Sequence, residues 1–185
     1  MSLLSEDQIA RLLAGEVISA PSGVSLRESA LEALLTTIID TASAELKTLH
    51  RCEWNHYGSG YASFVDAWFY YPDGRARISP SDEHHAGVFV LFSRLSHFYV
   101  LGQGEKAWRR GSASSYMPDL NMVDSVSHPA LLSLATALER ILSRYGLARV
   151  GKTLLSTPLP AGFEVPTILS SPPFSQFDAL FYWED

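Results

Sequence analysis

At 185 residues, 46% apolar and 18% charged, the chain has the length of one domain and enough apolar material for one sizeable core, which argues against intrinsic disorder. Against 14 bases stand 20 acids, a net charge of −6, which disfavours nucleic acid as a partner and favours a basic protein. The lone cysteine, Cys52, excludes an internal disulfide framework and fits a cytoplasmic setting; apolar runs are too short for a membrane span, and the N-terminal stretch does not read as a secretory signal.

Taken in chain order, "SEDQIARLLAG" predicts a short first helix. Ser5 and Gln8 form a capping box, Ile9, Leu12 and Leu13 share one face, and Gly15 is a natural stop. A second box, Ser25 with Glu28, opens the longest periodic segment. Ala30, Leu31, Leu34, Leu35, Ile38, Ile39, Ala42, Leu46 and Leu49 recur at helical spacing, so the helix is expected over Leu26 to about His50, about 35 Å at 1.5 Å per residue. A strand is predicted over Tyr61–Tyr71. It ends in the turn "YPDGR", with Pro72 presetting φ and Gly74 supplying a positive one, and Arg75–Ile78 returning antiparallel.

Gly87–Ser93 is an apolar run typical of a central strand, and "HFYVLGQG" follows it across the short loop "RLS". Trp108–Asp124 reads as a long surface excursion. A third helix starts near His128 and Pro129, where proline costs no hydrogen bond, and stops at Gly146. Five prolines break Gly151–Phe174 into extended pieces, and Phe177–Trp183 reads as a last strand. The expected fold is a single α+β domain over residues 1–185: one antiparallel sheet with the long N-terminal helix and a second helix packed on one face.

Motifs for chemistry are sparse. His84 and His85 are adjacent, and adjacent strand residues diverge too far to share one ion. Cys52 lies near His50 and His56 in sequence, but a catalytic thiol needs a base that is itself oriented by a third group. "GQGEK" lacks the length and the Lys-Ser/Thr ending of a phosphate loop. "KAWRR", Lys106–Arg110, reads as a solvated turn. No cofactor, metal or catalytic role is therefore expected for any residue.

The rings carry the functional argument. Alternation in "YGSGYASFVDAWFYYPDG" puts Tyr61, Val65, Ala67 and Phe69 on one face of the strand and Phe64, Asp66, Trp68 and Tyr70 on the other. Either the chain's own helices cover both faces or, with few helices available, one side of the sheet stands open to a partner with Asp66 amid aromatic anchors; the functional expectation takes the open face. The residues expected to contact that partner are Trp54, His56, Tyr57, Tyr61, Asp66, Trp68, Asp82, Glu83, Tyr116 and Asp119.

Three stretches together, "GSGYASFVDAWFYYPDG", "VFVLFSRLSHFYVLGQGEKAW" and "PLPAGFEVPTI…FDALFYWED", resemble small bacterial immunity proteins, the antidotes of polymorphic or type VI-secreted toxins. The resemblance covers about two-thirds of the chain in order of elements. It implies a cytoplasmic, non-enzymatic protein, monomeric or weakly dimeric when free, that binds a cognate toxin one to one and occludes its active site. The toxin's active-site surface would be basic, and neither nucleic acid nor membrane would be a partner. The competing expectations are a secretion-system adaptor or chaperone and a small-ligand-binding domain with its pocket between sheet and long helix.

Overall fold

A computed structural model describes residues 2–58, 60–79, 83–109 and 112–185. Helix α1 (Glu6–Leu13) forms with both halves of its capping box in place: the Gln8 N–H donates to Ser5 Oγ at 3.2 Å and the Ser5 N–H to Gln8 Oε1 at 2.9 Å. It buries Ile9 and Leu12. Helix α2 (Glu28–Leu46) is the long one, but it is second in the chain and shorter than its periodicity suggests. Its N-cap is Arg27, which makes no side-chain cap, so the Ser25–Glu28 box does not form. Glu28 and Glu32 instead face the buried Arg94, which ion-pairs with Glu32, lies 3.8 Å from Glu28, and donates to the carbonyls of Phe64 (3.1 Å) and Trp54 (2.8 Å). One arginine thereby fastens the start of α2 to the sheet.

The helix stops at Lys47, whose φ of 52° is left-handed. The Ser43 hydroxyl donates to the Thr48 carbonyl at 2.6 Å, turning the chain into strand β1 (Leu49–Glu53). Leu49, expected on the helix stripe, is thus an exposed strand residue.

The predicted strand after it splits at Ser63 into β2 (Tyr61–Ala62) and β3 (Phe64–Tyr70). Then come β4 (Arg77–Ser79), β5 (His84–Ser93), β6 (Phe98–Arg109) and β7 (Ser112–Ser115). Helix α3 (Pro129–Arg144) begins at the expected proline and gives way to Gly146 at φ 74°. Strand β8 (Ala148–Arg149), α4 (Lys152–Leu155), α5 (Gln176–Leu180) and β9 (Trp183–Glu184) complete the chain.

The fold is α+β, with a mixed, mostly antiparallel sheet and, among the described residues, five helices. The main sheet runs β1-β3-β5-β6-β7, with β4 added to β5 and β8 joining β6 in parallel; β2 and β9 form a separate pair. Three expectations are corrected. The return after the Pro72–Gly74 turn pairs with β5, not β3, because β1 already occupies the outer edge of β3. The excursion at Trp108–Asp124 is partly sheet: Trp108 belongs to β6, and Val123 bridges back to Gly102. The expected terminal strand is mostly α5, which Ser175 and Asp178 cap by hydrogen bonds from the Ser175 N–H and hydroxyl.

Both faces of the sheet are covered over the central strand β3. Under α2 and α3 lie Val65, Ala67 and Phe69 of β3 and Val88, Val90 and Phe92 of β5, packed with Ile38, Ile39, Leu134 and Leu138. The opposite face presents Phe64, Trp68, Phe89, Leu91 and Val100 to α1 and the C-terminal tail, which supplies Phe174, Phe177, Phe181, Tyr182 and Trp183. Every residue of β3 is buried. The expectation of an open sheet face is therefore wrong: a proline-broken tail, which shows no helical or alternating pattern, serves as the second covering layer.

Ser63, in the break between β2 and β3, clasps that tail. Its N–H donates to the Tyr182 carbonyl at 2.8 Å, and its hydroxyl lies 3.1 Å from the carbonyls of Leu180 and Tyr182 and accepts from the Tyr182 N–H at 2.9 Å. Tyr182 in turn donates its hydroxyl to the Leu12 carbonyl at 3.2 Å, so the tail and α1 are held together. No helix among the described residues is long and apolar enough to cross a membrane.

Candidate functional site

The tail covers only part of its face. Beyond it, β1, β3, β5 and β6 carry a cluster of rings and charges that reaches the surface as a groove. Its deepest charged group is Asp66 in β3, 1% exposed. Its carboxylate accepts from the Tyr116 hydroxyl at 2.5 Å and the Tyr57 hydroxyl at 3.2 Å, and Lys106 Nζ stands 3.5 Å away. These partners come from three places in the chain. Tyr57 sits at φ 55° in the short 3-10 turn His56–Gly58, with its ring 4.7 Å from that of Trp183. Lys106 extends from β6 on the same face. Tyr116 follows β7 and lies against the sheet above Gly104, where a Cβ would fall 2.4 Å from its ring. The glycines of "LGQG" in β6, Gly102 beside Phe89 and Gly104 beneath Tyr116, therefore serve close packing of rings.

Burial pushes the Asp66 carboxyl above its ordinary value, while Lys106 and the two tyrosine hydroxyls pull it down without cancelling the shift. Both tyrosines are pushed up, by burial first and then by the neighbouring carboxylate, and so stay protonated donors. The network is a satisfied clamp joining the loop after β1 to the segment after β7.

Beside it is a stack of rings. Trp68 lies 4.6 Å from Tyr70 at an interplanar angle of 20°, and its indole N–H donates to the Gly104 carbonyl at 3.0 Å. Trp108 meets both rings edge-on, at 5.9 and 5.4 Å. His85 is parallel to Trp108 at 5.4 Å, and the Arg51 guanidinium lies 3.9 Å from the Trp108 centroid. His85 is buried, its Nδ1 has no hydrogen-bond partner among the described residues, and burial together with the nearby Arg77 holds its pKa below the usual histidine value. The groove over this cluster is about 570 Å3, lined by Arg51, Glu53, Tyr57, Lys106, Trp108, Tyr116 and Met117. Met117 is 51% exposed on its rim. Such a surface, part aromatic, part apolar, with both signs of charge, suits contact with a protein better than capture of a small ion.

A second cavity of about 440 Å3 lies beneath the tail, among Asp119, Asn121, Ser156, Ser170, Phe174, Phe177 and Asp178. Asp178 accepts from the Ser170 hydroxyl at 2.6 Å as well as capping α5, and Asp119 accepts from the Asn121 N–H at 2.6 Å.

The structure brings together four of the expected contact residues, Tyr57, Asp66, Trp68 and Tyr116. Asp66 and Trp68 are fully buried, so they support the groove from beneath and cannot meet a partner's groups directly. Trp54 is half-buried against the core under α2 and α3. The His56 ring accepts from the Ala62 N–H at 3.0 Å and packs 5.2 Å from Tyr61, whose hydroxyl lies 3.3 Å from Glu28 Oε1. Glu83 is exposed in the turn before β5 at φ 45°, and Asp119 belongs to the second cavity. Asp82 lies outside the described residues.

Arg51, Glu53 and Met117 were not anticipated. The first two follow from period-2 alternation in "LHRCE", a signal hidden by extending α2 to His50. Cys52 shares its face with Ala67 under α2, and burial with the nearby Asp66 pushes its thiol up to about 12, so it stays protonated at neutral pH. His84 pairs with Glu105 at 3.1 Å, and among the described residues no three His, Cys, Asp or Glu are grouped to hold a metal ion. Compared with known families, curated proteins and solved structures, the chain matches no family model, no curated protein and no solved structure.

Proposed function

We propose that this chain is a non-enzymatic, cytoplasmic immunity protein that binds a cognate bacterial toxin and occludes its active site through the groove over Trp108. The observation that carries the reading is the point where the buried ring cluster surfaces: an arginine laid on a tryptophan, an exposed methionine and two tyrosines, backed by a rigid floor of Trp68 and Asp66. Aromatic and arginine anchors that are already fixed lose little side-chain freedom on binding, which is what a tight protein contact requires. The net charge of −6 favours a basic toxin through the field of the chain as a whole.

Co-expression with the product of the adjacent reading frame tests this. A stable complex and rescue of growth are expected, with rescue lost in Trp108→Ala or Met117→Asp while the fold is kept. Rescue by both variants at wild-type level would move the interface elsewhere, and failure to bind or rescue at all would end the reading.

One observation favours a second reading as a small-ligand-binding domain. The 440 Å3 cavity under the tail has the volume of a ligand pocket and combines phenylalanine walls with hydroxyls and carboxylates. A thermal-shift screen of nucleotides, amines and sugars decides it, since a ligand at 100 times its Kd stabilises by about 2.7 kcal/mol.

A further inference from the structure

Strand β1 ends the main sheet. Its inner edge is paired with β3 at all five positions, and among the described residues no other hydrogen bond reaches the backbone of Leu49–Glu53. Its outer edge therefore offers a row of unpaired N–H and C=O groups, which acts as a template for another strand. Charged side chains usually blunt such an edge, and β1 carries two of opposite sign on one face: Arg51, in register with Trp68, and Glu53, in register with Asp66. Arg51 is exposed, is held by stacking on Trp108, and is in no ion pair with a carboxylate among the described residues. Glu53 accepts from the Asn55 N–H at 2.7 Å through one oxygen.

The geometry points to a second copy of this chain as the occupant of that edge, paired antiparallel about a two-fold axis at Cys52. In that register Arg51 of each copy stands opposite Glu53 of the other, which makes two cross-strand ion pairs per dimer, and His50 faces Trp54. Opposed side chains in antiparallel strands have Cβ atoms about 4.5–5.5 Å apart, within reach of an Arg–Glu pair. An axis at Arg51 would oppose two arginines, and one at Glu53 two glutamates, so only the Cys52 register is self-complementary. The paired edge is five residues long, short of the roughly 800 Å2 per partner of a stable interface, so the dimer is weak and reversible, with a micromolar Kd. This pairing is independent of the toxin-binding reading, and because Arg51 and Glu53 also line the groove, a bound toxin would compete with it.

Sedimentation of the full chain without any partner tests the proposal. Wild type is expected to dimerise reversibly up to about 100 μM, well above a micromolar Kd. Arg51→Glu and Glu53→Arg, each placing like charges opposite one another, are expected to weaken self-association roughly tenfold or more. Mixed in equal amounts, the two variants restore both attractive pairs and are expected to associate about as tightly as wild type. If melting shows that either reversal disturbs the fold, Arg51→Gln and Glu53→Gln replace them, and each is expected to weaken the dimer without restoring it in mixtures. A wild type monomeric throughout, or mixed reversals that associate no better than each alone, overturns the proposal. A chain that dimerises this way yet neutralises no toxin keeps the dimer and loses only the proposed function.

Discussion

The two faces of the sheet are buried by different means. Under α2 and α3 the contacts are mostly aliphatic, with Phe69, Phe92 and Tyr99 among them, and the covering helices announce themselves by periodicity. On the opposite face the rings of Phe64, Trp68 and Phe89 share a core with a tail of little regular structure, which brings Phe177, Phe181 and Trp183 and is clasped by the backbone and hydroxyl of Ser63. Helix-covered faces are interchangeable packing surfaces, whereas the tail-covered face combines a core with a clamp and an opening. The groove lies where that irregular cover runs out, which is why the distinctive chemistry of the molecule gathers on this side.

The largest effect that would sharpen this contrast is charge reversal beneath the groove. Asp66→Lys sets a second cation against Lys106 in a buried site and is expected to cost about 5 kcal/mol or more, enough to unfold a marginal domain. Circular dichroism of the purified variant checks it. If the variant stays folded and only loses partner binding, Asp66 is a contact residue rather than a buried support. Next, Phe181→Ala and Leu138→Ala remove fully buried side chains from the tail face and the helix face, and each is expected to cost about 3–5 kcal/mol in urea unfolding. Equal losses would show that the tail is a full core layer; a loss under about 1 kcal/mol for Phe181→Ala would show it to be a loose flap.

A smaller loss, about 1–3 kcal/mol, is expected for Gly104→Ala, whose Cβ meets the Tyr116 ring and drives its hydroxyl off Asp66. Quenching of the protein's tryptophan fluorescence by acrylamide should increase with it.

The smallest effect is the pH dependence. Because Asp66 titrates higher in the folded protein than in the unfolded chain, its contribution is fully present below the unfolded value of 3.8 and is lost as pH rises through the folded value. Asp66→Asn does not titrate, so its stability relative to wild type should rise with pH over that window. A flat difference would mean that Lys106 and the tyrosines balance burial, and one that falls with pH that they outweigh it.

Much of the helix face was legible in the sequence, because its signals are local. Ser5 with Gln8, Pro129 at the start of α3, and the apolar run of β5 each specify an element within a few residues. The end of α2 was not legible: Lys47 takes a left-handed φ without being glycine, and Leu46 and Leu49 keep helical spacing across the break. With β1 hidden, its alternation of Arg51 and Glu53 was hidden too. Of the candidate site, the ring-rich strand and Asp66 stood out, but burial did not, because the cover comes from distant segments with no periodic signature: Tyr116 closes over Asp66 from 50 residues away, and the tail that Ser63 clasps lies 117 residues further along the chain. Tyr116 looked like a loop residue for the same reason: only the glycine beneath it in β6 makes room for its ring.

The clasp at Ser63 also bears on synthesis. Since Tyr182 and Trp183 finish the cover over Phe64, Trp68 and Phe89, a growing chain on the ribosome can assemble its helix-bearing side while the ring-bearing side is still bare. Until the tail emerges, that aromatic sheet is exposed and prone to aggregate.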